Sequence, residues 1–148
     1  NQKADIIVNS DDVENIIGLK NNKILVLFKH GKARIWESQL TSINLTYEFD
    51  CFNFFDAFNF NSIVRVIEKE DGTLILGMMS GIIKLFVLNK AKDSYQHKDT
   101  LTLKGTGTLK SLECYQNTLL ASTSCGTIYA IKVIEKHTDE CTPSCMMS

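Results

Sequence analysis

Three stretches, VENIIGLKNNKILVLFKHGKARIWE (13–37), IVRVIEKEDGTLILGMMSGIIKLFV (63–87) and TLKSLECYQNTLLASTSCGTIYAIK (108–132), stack on one another without a gap. Ile17, Ile67 and Leu112 coincide, as do Ile24, Leu74 and Leu119, and again Val26, Leu76 and Ala121. The alignment therefore predicts one apolar face in each copy. Gly31, Gly81 and Gly126 fall in register at a second turn, and five residues later come Trp36, Phe86 and Ile131. Copies of this kind mean one structural unit used three times.

The units read as β-sheet. No window of a dozen residues sustains apolar positions at i, i+3, i+4 and i+7, whereas Ile43, Leu45, Tyr47, Phe49 and Cys51 alternate with Asn44, Thr46, Glu48 and Asp50. Turn residues separate the apolar runs at Asn21-Asn22, Asp71-Gly72 and Gln116-Asn117. Each copy supplies three strands, and further strands are expected at 3–10, 43–51 and 98–104. The glycines lie 50 and then 45 residues apart. Four strands on a period of about 40 to 50 residues make the blade of a β-propeller. The expected organisation is three repeats, 3–37, 43–87 and 98–134, followed by a polar tail, 135–148.

His30-Gly31-Lys32-Ala33-Arg34-Ile35-Trp36-Glu37 resembles the end of a WD repeat, which runs Asp-Gly, alternating residues, then Trp-Asp. Ser80–Phe86 and Cys125–Ile131 are weaker versions. His30, Ser80 and Cys125 replace the family's turn Asp, the Trp survives once, and no Gly-His pair opens a repeat. The resemblance covers nearly all of residues 3–134 and implies a propeller of WD-repeat type. It also implies a non-catalytic scaffold that holds other protein subunits of an intracellular complex. Closed propellers have about four to eight blades. Three would leave sheet edges and apolar faces open, a recipe for aggregation. The expectation is a part of a larger ring, completed by further blades of the same or another chain.

Composition narrows the alternatives. The 148 residues hold 16 Lys+Arg against 17 Asp+Glu, and 44% are apolar, close to the globular norm. The balanced charge disfavours nucleic acid, because phosphate binding rests on clustered cations. An accessory subunit of a nucleic-acid-processing enzyme is the competing reading. Lys90, Lys92, His97 and Lys98 form a mildly basic loop in that reading, though Asp93 and Asp99 balance it. No 18-residue apolar run suggests a membrane helix. The chain begins with Asn, so it is expected to be processed or cut from something longer, and residues 1–12 do not read as a secretory signal. Five cysteines, an odd number, fit reduced thiols in the cytoplasm or nucleus rather than a disulfide framework.

No catalytic constellation is legible: there is no G-x-S-x-G elbow, H-E-x-x-H pair or P-loop. All three histidines (30, 97 and 137) fall in expected turns or loops. His137, Cys141 and Cys145 lack a nearby fourth soft ligand, so they read as tail rather than zinc site. Gly105-Thr106-Gly107-Thr108 reads as a loop between blades, with no helix behind it to hold a phosphate. Cys125 has no identifiable base and reads as a turn residue. Neither a cofactor nor a metal is expected. One segment is anomalous, Cys51–Asn61, which carries five of the eight phenylalanines. In WD-repeat proteins such a connection shares a partner-binding rim with the glycine turns. Phe54, Phe55, Phe58, Lys29 and His30 are therefore the candidate partner-binding residues, the alternative being that the rings pack between blades.

Overall fold

A computed structural model describes residues 12–29, 31–51, 63–105 and 107–133, which form eleven β-strands and no helix. The expected strand at 3–10 and the tail with His137, Cys141 and Cys145 lie outside the described residues. Three antiparallel sheets result: two of four strands and one of three. The chain divides into two compact units, Asn1–Phe60 with Ala91–Tyr95, and Asn61–Lys90 with Gln96–Ser148.

The first unit holds β1 (Val13–Gly18), β2 (Lys23–Phe28), β3 (Lys32–Ser38) and β4 (Ile43–Asp50), in that spatial order. The β1–β2 connection bends through Asn21 and Asn22, both at φ 59°. Asn tolerates that left-handed region better than most residues, and Leu19 N–H donates to Lys23 O at 2.8 Å across the turn. Leu25, Leu27, Ala33 and Ile35 are buried on one face. Cross-strand register puts Tyr47 opposite Ile35 and Phe49 opposite Ala33 on that same face. Tyr95 packs there, its ring 5.4 Å from Tyr47 and 5.1 Å from Phe49. On the other face Trp36 lies opposite Ile24, and its indole N–H is buried with no acceptor.

The alternation expected over 43–51 breaks at Thr46. Trp36 pairs with Leu45 while the adjacent Ile35 pairs with Tyr47, so Thr46 is a bulge residue. The extra residue sends Leu45 to the Trp36 face and Tyr47 to the Ile35 face. The sequence alternates, but the strand does not.

The second sheet is β5 (Ile63–Glu68), β6 (Leu74–Met78) and β7 (Ile82–Asn89), with β8 (Ser94–Thr102) outermost, and the third is β9 (Leu109–Tyr115), β10 (Thr118–Thr123) and β11 (Ile128–Lys132); apart from Ser94 and Tyr95 of β8, both belong to the second unit. The expected loop is real only to Asp93, and β8 begins at Ser94. His97 is therefore a strand residue, its ring 5.5 Å from that of buried Phe86 and its Nε2 2.6 Å from Thr100 Oγ1. An outer strand tolerates such polar content, which is why composition hid it.

Ile75, Ile83 and Leu85 of the second sheet form one core with Leu109, Leu112, Leu119, Ala121 and Val133. Each buried aliphatic side chain contributes about 2 kcal/mol. A Cβ on Gly77 would stand 2.7 Å from Leu112 Cδ2, so the two sheets meet there as closely as a glycine permits. The gap-free alignment fails in this region. Ile67 pairs with Ile75, yet Leu112 pairs with Ala121, whose counterpart Leu76 pairs with Val66. The third hairpin turns in two residues, Gln116 (φ 56°) and Asn117, instead of the longer turn at Glu70–Gly72, where Lys69 N–H bonds Thr73 O. One residue fewer slides β9 by one position, and such a slip exchanges faces. Leu112 thus occupies the face that Val66, not Ile67, occupies in the second sheet.

Candidate interaction surface

One turn recurs in all three sheets. Gly31 N–H donates to Phe28 O at 2.9 Å, Gly81 N–H to Met78 O at 2.9 Å, and Gly126 N–H to Thr123 O at 3.1 Å. The glycines sit at φ 92°, 91° and 88°, where a side chain is strained, so the glycine is a geometric requirement. The strand that follows is tied back in the same way. Cys51 N–H donates to Gly31 O at 2.8 Å, and Leu103 N–H to Gly81 O at 2.9 Å.

Between these fixed points the side chains differ. The first turn carries Lys29, which is exposed, while its backbone N–H donates to Asp12 O at 2.7 Å. His30, Phe54, Phe55 and Phe58 lie outside the described residues. The second turn carries Met79, 39% exposed, and Ser80; the third carries Ser124 and Cys125. Residues 107–109 tie the last two turns together. Leu109 N–H donates to Met79 O at 3.0 Å, Ser124 N–H donates to Thr108 O at 2.8 Å, and Ser124 Oγ accepts from Thr108 N–H at 2.8 Å. In the second unit, Met79 and Cys125 thus belong to neighbouring turns along one edge. Met79 was not among the residues singled out from sequence, although it aligns with Lys29. An unbranched thioether is well suited to adaptable apolar recognition.

Cys125 Sγ stands 3.1 Å from Thr123 Oγ1 and 3.5 Å from Thr127 Oγ1. Cys114 is half-buried, and burial pushes its thiol pKa up. Among the described residues no group of three His, Cys, Asp or Glu side chains could hold a metal.

The first unit carries a charged ladder on β3 and β4. Arg34 Nε donates to Glu48 Oε2, and Lys32 lies 3.7 Å from Glu48 and 3.6 Å from Asp50. The Arg34 guanidinium also stands 5.0 Å from the Phe28 ring centroid. The hydrogen bond from Arg34 holds the Glu48 carboxyl below its ordinary pKa. Each cation here is matched by a carboxylate, so the ladder offers no surplus positive charge to a phosphate backbone.

No family model matches the chain, and no curated protein matches it. Among solved structures it is similar to the crystal structure of a structural-genomics target from Lactobacillus plantarum. The TM-score is 0.53 at 10% identity, over 81% of this chain and 40% of that one. The chain therefore spans well under half of the structure it matches, and the likeness is one of all-β fold.

Proposed function

We propose that this chain is a non-catalytic scaffold, a segment of a WD-repeat-type β-propeller that holds other protein subunits of a complex in the cytoplasm or nucleus. The observation that carries the reading is the recurrent turn. Its glycine and the hydrogen bond from the glycine N–H are constant, while the residues before the glycine change from Lys29 in the first turn to Met79-Ser80 and Ser124-Cys125 in the others. Constant backbone with variable side chains is the pattern of a rigid support that displays recognition groups. Partner segments dock on these groups and on Phe54, Phe55 and Phe58, where aromatic area supplies the affinity and the turns set the register. The reaction chemistry of the complex belongs to its other subunits, and binding needs no metal or cofactor from this chain.

The test is affinity capture on the immobilised full chain, with bound subunits identified by mass spectrometry, against the variant Phe54→Ala/Phe55→Ala/Phe58→Ala. A folded variant that has lost its partners supports the interface; an unfolded one assigns the rings to packing. Titrating nucleic-acid binding with salt addresses the competing reading. A steep loss of measurable affinity with added salt would favour direct contact with RNA or DNA.

A further inference from the structure

Met78 and Met79 are consecutive, yet their surroundings differ. Met78 closes β6 and is 3% exposed, whereas Met79 opens the second glycine turn and is 39% exposed. The main chain holds them apart. Met78 O accepts from Gly81 N–H at 2.9 Å, and Met79 O accepts from Leu109 N–H at 3.0 Å, so each carbonyl of the pair is tied. At the aligned positions the first and third turns carry Lys29 and Ser124, and Met79 is the one apolar residue of the three. A second oxidisable sulfur, that of exposed Cys125, lies on the neighbouring turn, which residues 107–109 tie to this one. A thioether does not titrate, so its reactivity towards peroxide follows its exposure. The product is polar and chiral where the reactant was apolar.

We propose that Met79 is a reversible oxidation site, and that its oxidation by a peroxide releases the partner segment docked at the second turn. The sulfur lone pair attacks one oxygen of hydrogen peroxide, the O–O bond breaks and an S–O bond forms. The second oxygen leaves as hydroxide and collects the proton of the first, giving water. Sulfur loses two electrons and the peroxide gains them. On the return path the oxygen departs as water while two thiols close to a disulfide, the chemistry of a methionine sulfoxide reductase. Met78 has the same sulfur without the access, so one side chain of the pair responds. The release deepens the scaffold reading and rests on it; the preference for Met79 over Met78 does not.

The full chain is treated with limiting hydrogen peroxide, and peptide fragment ions that divide Met78 from Met79 locate the added oxygen. Met79 is expected to oxidise about tenfold faster than Met78, which burial protects. Equal rates, or Met78 first, overturn the site. The purified subunit identified by capture on the reduced chain is then the probe of docking. Its affinity is expected to fall about tenfold on oxidation, as for the loss of one interface anchor. Reductase with a dithiol is expected to restore binding, and the dithiol alone is not. Recovery with the dithiol alone would assign the effect to a cysteine and overturn the switch. Met79→Leu keeps an apolar side chain without the sulfur, and its affinity is expected to be indifferent to peroxide. A Met79→Leu chain that still loses the probe on oxidation would overturn the switch as well. A reduced chain that captures no subunit ends the scaffold reading and the switch together, while the peptide measurement decides the site by itself.

Discussion

β6 and β10 occupy the same place in successive sheets, and their central residues, Leu74-Ile75-Leu76 and Leu119-Leu120-Ala121, are alike in apolar character. Yet every residue of β6 is buried, while β10 alternates buried Leu119 and Ala121 with exposed Leu120. Nothing in the strands themselves makes the difference. Ile75 of β6 packs against Leu109, Leu112 and Leu119 of the next sheet, whereas Leu120 of β10 is 44% exposed. A side chain's energetic weight is therefore set by the sheet beside it, and equivalent substitutions should diverge.

The widest divergence is expected at Ile75 and Leu120. Ile75→Ala should cost about 3 kcal/mol by removing packed methyl groups from a closed core. Leu120→Ala should cost under about 1 kcal/mol. Urea unfolding of the two variants checks this, and equal losses would break the comparison. Next come Gly77 and Ser122. Gly77→Val should cost about 2 kcal/mol, because the new side chain meets Leu112 across a gap that has no room for it. Ser122→Val should stay within about 0.5 kcal/mol, or gain slightly from β-propensity. Arg65→Ala, which removes the exposed bridge from Arg65 to Glu113 at 3.2 Å, should cost about 0.5 kcal/mol or less.

The smallest effect lies in the first unit. Glu48 has a lowered pKa, so its bond to Arg34 stabilises the fold above the ordinary carboxylate range. That stability is lost as pH falls through the lowered value. Both side chains are more than a third exposed, which limits the effect to a few tenths of a kcal/mol, roughly the value of a surface pair. Glu48→Gln should flatten the acid limb of a stability–pH curve by that amount and leave neutral-pH stability lower by the same margin.

The glycine turns were legible in the sequence because only a residue without a Cβ satisfies φ near 90° at Gly31, Gly81 and Gly126. The apolar positions of β2, β6 and β10 were legible too, since burial demands them. Three features were hidden for physical reasons. The bulge at Thr46 is set by pairing with β3, which a lone strand does not reveal. The slip of β9 depends on Gln116 adopting a left-handed conformation to turn in two residues. β8 starts at Ser94 in residues too polar to announce a strand. Of the candidate site, Lys29 is exposed, whereas His30 and the three phenylalanines lie outside the described residues. The exposure of Leu120 and Ile128 could not be read at all, because both look like core residues until their surroundings are known.

Trp36 is the only tryptophan in the chain, and it lies in the first unit with its indole N–H enclosed and unbonded. Intrinsic tryptophan emission is consequently a reporter of the first unit alone, while far-ultraviolet circular dichroism registers strands from both. Coincident melting curves from these two signals would identify one cooperative transition; separated curves would give each unit its own midpoint, without labels or mutations.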